Sequence, residues 1–131
     1  MNTFATFIVT HEKMAICLQK AVEKILGAQK NLFPYTNLED SIPALSKKII
    51  KNIGDINPKH IVFFIDLAGG SCWNLANMIK KQYNNVTIIA GVNMPMLISY
   101  FTNLNEIPFN ELIIKVIEDA SRGIIRVEGA E

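Results

Sequence analysis

The sequence has no long apolar run, few cysteines and almost no net charge, and each of these absences excludes a class of protein. No apolar stretch is long enough to cross a bilayer, so we expect no stable membrane insertion. Thirteen basic residues are balanced by twelve acidic ones, which is unlike the basic surface of a nucleic-acid-binding protein. The N-terminal apolar stretch is interrupted at His11, Glu12 and Lys13, so it does not resemble a signal peptide. We therefore expect a cytoplasmic protein without a nucleic-acid partner.

The only cysteines are Cys17 and Cys72, and their spacing forms neither a metal motif nor a disulfide framework. We expect both to be reduced thiols, with Cys17 buried rather than reactive. No linker, internal repeat or low-complexity segment interrupts the chain. Its 131 residues match the size of one domain, and half of them are hydrophobic, which is enough for a core. We expect a single domain over residues 1–131.

Short apolar segments alternate with segments of helical periodicity along the whole chain. The apolar segments are rich in β-forming residues and predict strands at 4–9, 31–35, 61–65 and 86–90, with a last strand at 124–127. Apolar residues at steps of three and four predict the helices between them. Asp40 or Ser41 can cap the second of these helices, with Pro43 in its first turn. Gly27, Gly54 and Gly123 each follow such a stripe and are predicted to end helices.

This alternation predicts an α/β fold. Because the strands lack polar alternation, we expect a mostly parallel sheet between two helical layers, a three-layer αβα sandwich. The flavodoxin-like strand order 2-1-3-4 is favoured, with the C-terminal strand at an edge. In that order strands 1 and 3 are neighbours whose outgoing connections leave on opposite faces. A crevice for ligands is therefore expected at their carboxyl ends.

A histidine and an aspartate are predicted to meet at this crevice. His11 directly follows strand 1, and Asp66 directly follows strand 3. A carboxylate that accepts a hydrogen bond from one imidazole nitrogen fixes the tautomer, and the other nitrogen keeps its lone pair and can act as a nucleophile. From the residues alone, a capping or loop role for His11 and a turn or helix-cap role for Asp66 stay open.

Small and hydroxyl-bearing residues accompany this pair. Gly69 and Gly70 would let backbone N–H groups approach a ligand without a β-carbon in the way, and Ser71 and Thr10 add hydroxyl groups. Helix N-termini follow both strands and favour an anion. The combination predicts phosphate binding beside a nucleophilic histidine. His60 is expected at the opposite end of strand 3, in a surface role.

Three ordered blocks of the sequence resemble the A subunit (EIIA) of the mannose/fructose/sorbose family of the bacterial sugar phosphotransferase system. The first is Val9-Thr10-His11, the second is DLAGGSCWN at 66–74, and the third is AGVNMPML at 90–97. They occur in the family's order, and the resemblance covers essentially the whole chain. It implies one mannose-type EIIA domain over residues 1–131.

The resemblance implies a phosphoryl relay. The phosphocarrier protein HPr would phosphorylate His11, which would pass the phosphoryl group to an EIIB subunit. Asp66 would orient the ring, Ser71 and nearby backbone N–H groups would hold the phosphate, and Asn93 would shape the rim of the pocket. Trp73 is interpreted either as a second rim residue or as a half-buried helix residue. The relay is expected to need no metal and no organic cofactor.

Family members are typically homodimers in which the C-terminal strand, here residues 124–127, joins the partner's sheet. Many relatives have glycine directly after the histidine, whereas this chain has Glu12, whose side chain is expected to point to solvent. Because no B domain is seen in the chain, EIIB is expected on a separate protein.

The alternative function is a regulatory interaction protein of the same fold, which would signal its phosphorylation state without sugar transport. A small-anion binding module ranks below both.

Overall fold

The computed structural model of the chain describes residues 2–38 and 40–130. Within these residues the chain divides into two compact units, one ending at Val92 and the other beginning at Asn93. Strands and helices follow one another in the order β1 (Phe4–Thr10), α1 (Met14–Leu26), β2 (Leu32–Thr36), α2 (Ile42–Ile56), β3 (His60–Ile65), α3 (Ser71–Lys80), β4 (Val86–Ala90), α4 (Met94–Asn103) and α5 (Phe109–Arg122).

The first unit contains a four-stranded sheet in the order β2-β1-β3-β4, and every neighbouring pair is parallel. The predicted α/β fold with strand order 2-1-3-4 is therefore confirmed. β1 and β3 are the two central strands, and Val9 lies opposite Ile65 in their register. The two strands thus end at the same level, and the residues that follow them emerge side by side.

Both faces of the central strands are buried. On one face, Phe7 of β1 and Phe63 of β3 stack with ring centroids 5.1 Å apart, and residues of α2 and α3 complete this apolar cluster. Full burial of such a side chain contributes about 1.5–3 kcal/mol. On the other face, Ile8 and Val62 are also buried, and α1 packs against β1 and β2. Burial of alternate residues on both faces explains why the strands lack polar alternation.

The second helix begins as the sequence predicts and ends later. Ser41 is its N-cap, because the Ser41 hydroxyl accepts a hydrogen bond from the Ala44 N–H at 3.3 Å, and Pro43 lies in the first turn. The helix continues through Gly54, so the predicted stop at that residue is wrong. Asn57 ends it instead, with a left-handed φ of 50° and an N–H that donates to the Ile53 carbonyl.

The first helix ends at Leu26 with Gly27 as its C-cap, so the predicted stop at Gly27 is confirmed, and Gly27 has a φ of 87°. Its buried residues are Ala15 and Val22, seven positions apart and therefore on one face. Cys17 lies off that face and is exposed, so the prediction that Cys17 is buried is wrong. The helix therefore buries a narrower stripe than its apolar residues suggest.

The second unit is a pair of packed helices, α4 and α5. The Ser99 hydroxyl of α4 donates to Asp119 Oδ2 of α5 at 2.6 Å. Gly123 directly follows α5, and a β-carbon placed there would overlap the Pro95 ring, so a side chain at this position would displace the proline. Along residues 2–38 and 40–130, no helix combines the length and apolar character that a bilayer span requires.

The predicted C-terminal edge strand at 124–127 is not formed in this chain. Residues 124–130 have neither helical nor strand structure. The side chains of Ile124, Ile125 and Val127 are 81%, 76% and 86% exposed. A strand exists only when another backbone completes its hydrogen-bonded ladder, and among the described residues of this chain the segment pairs with no strand. The sheet therefore has four strands, with β2 and β4 at its edges.

Candidate functional site

His11 and Asp66 meet at the carboxyl ends of the central strands. The His11 Nδ1 atom lies 2.9 Å from Asp66 Oδ2, and the His11 backbone N–H donates to the same oxygen at 3.0 Å. The strand register brings this about, since the two residues follow neighbouring strands that end at the same level. One carboxylate oxygen therefore fixes both the backbone and the ring of the histidine.

The charge on Asp66 determines which ring nitrogen of His11 is available. The Asp66 side chain is 13% exposed, and burial alone raises its pKa. Hydrogen bonds from the His11 amide and ring, together with the electrostatic attraction of His11 and of the Asp66 backbone N–H, outweigh burial. The pKa of Asp66 therefore lies below its ordinary value of 3.8, and the carboxyl is ionised at neutral pH. An ionised carboxylate can only accept, so Nδ1 carries the hydrogen and Nε2 keeps its lone pair. The His11 side chain is 40% exposed.

Gly70 contacts the His11 ring. A β-carbon built at Gly70 would lie 3.1 Å from His11 Cε1 and 3.6 Å from Nε2, so the ring packs directly against the glycine backbone. Gly70 is also the N-cap of α3, which begins at Ser71. The free N–H groups of that first helical turn are therefore close to the imidazole. Gly69 has a φ of 91°, a left-handed conformation that favours glycine.

The Thr10 hydroxyl is engaged in two hydrogen bonds. It accepts from the Ala15 N–H at 2.7 Å and donates to the His11 carbonyl at 3.1 Å. Thr10 is fully buried. A hydroxyl has a single hydrogen, and here that hydrogen is directed at the His11 carbonyl instead of toward a ligand. Thr10 thus connects the end of β1 to the start of α1 and holds the turn that contains His11.

Glu12, the residue after His11, adopts a left-handed conformation with a φ of 52°. Its side chain is exposed, as expected from the sequence. Such a conformation costs a residue with a β-carbon about 1–2 kcal/mol, a cost that glycine does not have. The turn would therefore suit a glycine at this position, and this chain forms it with a strained residue.

Asn37 is a polar neighbour of the site that the sequence did not reveal. Its side-chain amide lies 3.5 Å from Ser71 Oγ, and its backbone N–H donates to the Thr10 carbonyl at 3.3 Å. Asn37 directly follows β2, and β2 is the neighbour of β1. The sequence could have indicated Asn37, because it directly follows a strand next to the central pair. Parallel strands bring their carboxyl ends to one edge of the sheet, where the site lies.

The two predicted rim residues have structural contacts. Trp73 is half-buried and packs against the apolar cluster of the first unit. Asn93 belongs to the second unit and caps α4: its Oδ1 accepts from the Met96 N–H at 2.9 Å, and its Nδ2 donates to the Ala120 carbonyl at 3.2 Å. A rim role for either residue stays a prediction.

Cys72 lies beneath the histidine and the aspartate. One ligand atom from each of His11, Asp66 and Cys72 can be chosen so that all three lie within 4.8 Å of one another. Burial and the nearby Asp66 charge raise the pKa of the Cys72 thiol, while a hydrogen bond with Ser71 lowers it in part. Asp66 Oδ1 is also buried and has no hydrogen-bond partner among the described residues. His60 lies at the amino end of β3, where its ring is 5.2 Å from that of Phe4.

These features define an α/β domain with a histidine–carboxylate pair at the switch point of a parallel sheet. The chain belongs to the mannose-type EIIA family of the bacterial sugar phosphotransferase system, because the family model described as "PTS system fructose IIA component" matches residues 5–117. The resemblance identified from the three sequence blocks is therefore confirmed. The chain is an EIIA component of the mannose, fructose and sorbose type.

Known relatives agree with this assignment. The "PTS system mannose-specific EIIAB component" of Escherichia coli (strain K12) is 32% identical over 128 residues, which cover 93% of this chain and 39% of that protein. The "PTS system sorbose-specific EIIA component" of Lacticaseibacillus casei is 24% identical and is covered over 88% of its length. The crystal structure of an EIIA component from Streptococcus agalactiae has the same fold, with a TM-score of 0.84, 21% identity and coverage of 94% and 96% of the two chains.

The strained turn predicts opposite effects for two substitutions of Glu12. We expect Glu12→Gly to leave the free energy of unfolding unchanged or to raise it by up to about 1 kcal/mol. Glycine relieves the left-handed strain, but it also increases the conformational entropy of the unfolded chain, which offsets part of the gain. We expect Glu12→Val to lower it by about 1–2 kcal/mol, since a β-branched residue tolerates this φ least. Urea unfolding measures both. Equal stability of the two variants would show that the turn is not strained.

The lowered pKa of Asp66 predicts a pH-dependent contribution to stability. The hydrogen bonds from His11 stabilise the ionised carboxylate, so this contribution is present above the ordinary value of 3.8 and is lost as the pH falls through the lower value in the folded protein. The difference in free energy of unfolding between the parent chain and Asp66→Asn should therefore shrink between about pH 5 and pH 2. A difference that stays constant over this range, measured by urea unfolding, would contradict the assignment.

Proposed function

We propose that this EIIA component is a phosphocarrier that accepts a phosphoryl group from HPr on His11 and passes it to an EIIB partner during sugar uptake. The observation that carries the proposal is the hydrogen bond between His11 Nδ1 and Asp66 Oδ2 at 2.9 Å. It leaves Nε2 as the nitrogen with a lone pair, on a ring that is 40% exposed. An exposed nucleophilic nitrogen beside helix N-terminal amides is what reversible phosphoryl transfer requires.

In the first transfer, the Nε2 lone pair of His11 attacks the phosphorus of phosphorylated HPr. The new N–P bond forms as the N–P bond of the HPr phosphohistidine breaks, and its electron pair returns to the HPr imidazole. The ring of His11 becomes more positive, and the Asp66 carboxylate stabilises that charge through Nδ1–H. The second transfer repeats these events with His11 as the donor. The transition state is loose, so catalysis consists mainly of positioning and charge stabilisation.

The phosphoryl oxygens would be held at the start of α3. The first N–H groups of a helix lack intrahelical acceptors, and here they follow Gly69 and Gly70, whose lack of side chains leaves them accessible. The Ser71 hydroxyl adds a donor, and the Asn37 amide lies next to it. Thr10 contributes by positioning the His11 turn, since its only hydrogen is already donated to the His11 carbonyl.

The partners and location of the protein follow from this role. HPr is the proposed donor and EIIB the proposed acceptor, both in the cytoplasm, and the relay itself requires no metal or organic cofactor. A regulatory protein of the same fold would accept the phosphoryl group but would not pass it to EIIB. Onward transfer to EIIB therefore distinguishes the two functions.

We also propose that two copies of the chain pair through residues 124–127. Ile124, Ile125 and Val127 are exposed β-branched residues, which favour a strand and are unfavourable in water. The sheet offers two edges. β2 contains Pro34, which cannot donate to a ladder, whereas β4 contains no proline, so the edge of β4 is the more suitable acceptor for a strand from a second copy.

The relay predicts that His11 is labelled and that His60 is not. Incubation with phosphoenolpyruvate, the first enzyme of the system and HPr should add one acid-labile phosphoryl group, detected by intact mass. The label should be lost in His11→Ala and retained in His60→Ala, a matched control at the other end of the sheet. Labelling that survives in His11→Ala would contradict the proposal, as would the absence of any labelling of the parent chain.

Asp66→Asn tests the orientation of the ring. An asparagine amide can donate to Nδ1 and so favour the tautomer with hydrogen on Nε2, which has no lone pair for attack. We expect the variant to fold and to be phosphorylated on the order of 10²–10⁴-fold more slowly. A normal rate, measured by quenched-flow labelling, would show that Asp66 does not control the ring.

The pairing proposal predicts that the parent chain is a dimer and that Ile124→Asp combined with Ile125→Asp is a monomer. Two charges on successive residues disrupt both faces of the added strand. Ile25→Asp is the control, because Ile25 is an exposed apolar residue of α1, 64% exposed. Sedimentation equilibrium measures the mass. A dimer that persists in the double variant would exclude this segment as the interface.

A further inference from the structure

The site contains a donor set of three residues, of which the phosphoryl relay uses His11 and Asp66 but not Cys72. His11 offers an imidazole nitrogen, Asp66 a carboxylate oxygen and Cys72 a sulfur, and these ligand atoms lie within 4.8 Å of one another. The residues come from three different elements: the ends of β1 and β3 and the first turn of α3. Nitrogen, oxygen and sulfur in this combination are the ligands that Zn²⁺ prefers in proteins.

Two further observations distinguish this cluster from a chance grouping. Asp66 Oδ1 is buried and has no hydrogen-bond partner among the described residues, although a buried carboxylate oxygen is costly to leave unpaired. The Cys72 sulfur also lies inside the protein, since its side chain is fully buried and lies near the Asp66 carboxylate. Three protein ligands leave the fourth position of a tetrahedral ion open to water.

The distances fit a bound ion after a small contraction. Metal–ligand bonds of about 2.0–2.3 Å place the ligand atoms of a tetrahedral Zn²⁺ ion roughly 3.3–3.8 Å apart. A cluster whose ligand atoms lie within 4.8 Å reaches this geometry by side-chain movements of about 1 Å. The ion would enter from the side of His11, which is the exposed member of the three.

We propose that His11, Asp66 and Cys72 form a Zn²⁺ site whose occupation excludes phosphorylation of His11. Binding displaces the Cys72 thiol proton to solvent, and the sulfur donates its electron pair to the metal. An ion on Nε2 occupies the nucleophilic lone pair directly. An ion on Nδ1 places the remaining ring hydrogen on Nε2, which also removes that lone pair. The ion is thus a blocking ligand and not a cofactor, and the blocking effect rests on the proposed function, whereas the binding does not.

The sequence supplies matched controls for binding. The chain has two cysteines and two histidines, with one of each in the cluster and one of each outside it. We expect one Zn²⁺ per chain, measured by competition with a chromophoric chelator. His11→Ala and Cys72→Ala should each weaken binding at least about tenfold, whereas Cys17→Ala and His60→Ala should not change it. Circular dichroism verifies that each variant is folded. Unchanged binding by Cys72→Ala would overturn the proposal.

Cobalt substitution tests the sulfur ligand independently of activity. Co²⁺ bound to the parent chain should give a near-ultraviolet thiolate-to-metal charge-transfer band, and the band should persist in Cys17→Ala and disappear in Cys72→Ala. A Co²⁺ complex of the parent chain without this band would overturn the assignment of Cys72.

Inhibition tests the blocking effect. Zn²⁺ should stop HPr-dependent labelling of the parent chain, and a chelator should restore it. Each variant is compared with its own rate without metal, and Cys72→Ala should be far less sensitive to Zn²⁺. If Zn²⁺ inhibits the parent chain and Cys72→Ala equally, the inhibition comes from Zn²⁺ acting on the donor proteins. That result would overturn the proposal that the ion blocks His11. If the metal-free parent chain is not labelled at all, the proposed relay fails, while chelator competition and the cobalt spectrum still decide the metal site.

Discussion

The site depends on a single carboxylate oxygen. Asp66 Oδ2 accepts from both the backbone amide and the ring of His11, so one atom fixes the path of the chain after β1 and the orientation of the imidazole. Together with the attraction of His11 and of the Asp66 backbone N–H, these two hydrogen bonds outweigh the desolvation of the carboxyl group, because the pKa of Asp66 is lowered despite burial. The parallel register of β1 and β3 makes the contact, and the hydrophobic burial of those strands on both faces maintains the register.

Much of the fold was predictable from the sequence because its signals are local. Continuous apolar segments specified the four strands, and the helix-start signal at Ser41 agreed with the structure. The meeting of His11 and Asp66 followed from strand order alone, since neighbouring parallel strands end at one edge of the sheet. The glycines after β3 indicated a close backbone approach, and Gly70 does contact the ring.

The remaining features depend on tertiary contacts that sequence patterns do not encode. Gly54 did not end α2, because Asn57 could adopt the left-handed conformation that ends a helix. Cys17 is exposed because α1 buries a narrow stripe against the sheet. The segment at 124–127 has strand composition but forms no ladder with the described residues of its own chain. The proximity of Cys72 to the histidine was also hidden, since it depends on how the first turn of α3 lies under the ring.

The packing of His11 between Asp66 and Gly70 has a kinetic consequence. One ring nitrogen is covered by the carboxylate, and the glycine backbone lies against the ring, so Nε2 is the nitrogen left for a reacting molecule. In the proposed relay, a donor and an acceptor that both use Nε2 would occupy the same surface in turn and could not form a ternary complex with this chain. Turnover would follow a ping-pong pattern, in which an excess of either unphosphorylated partner competes with the other for one docking position.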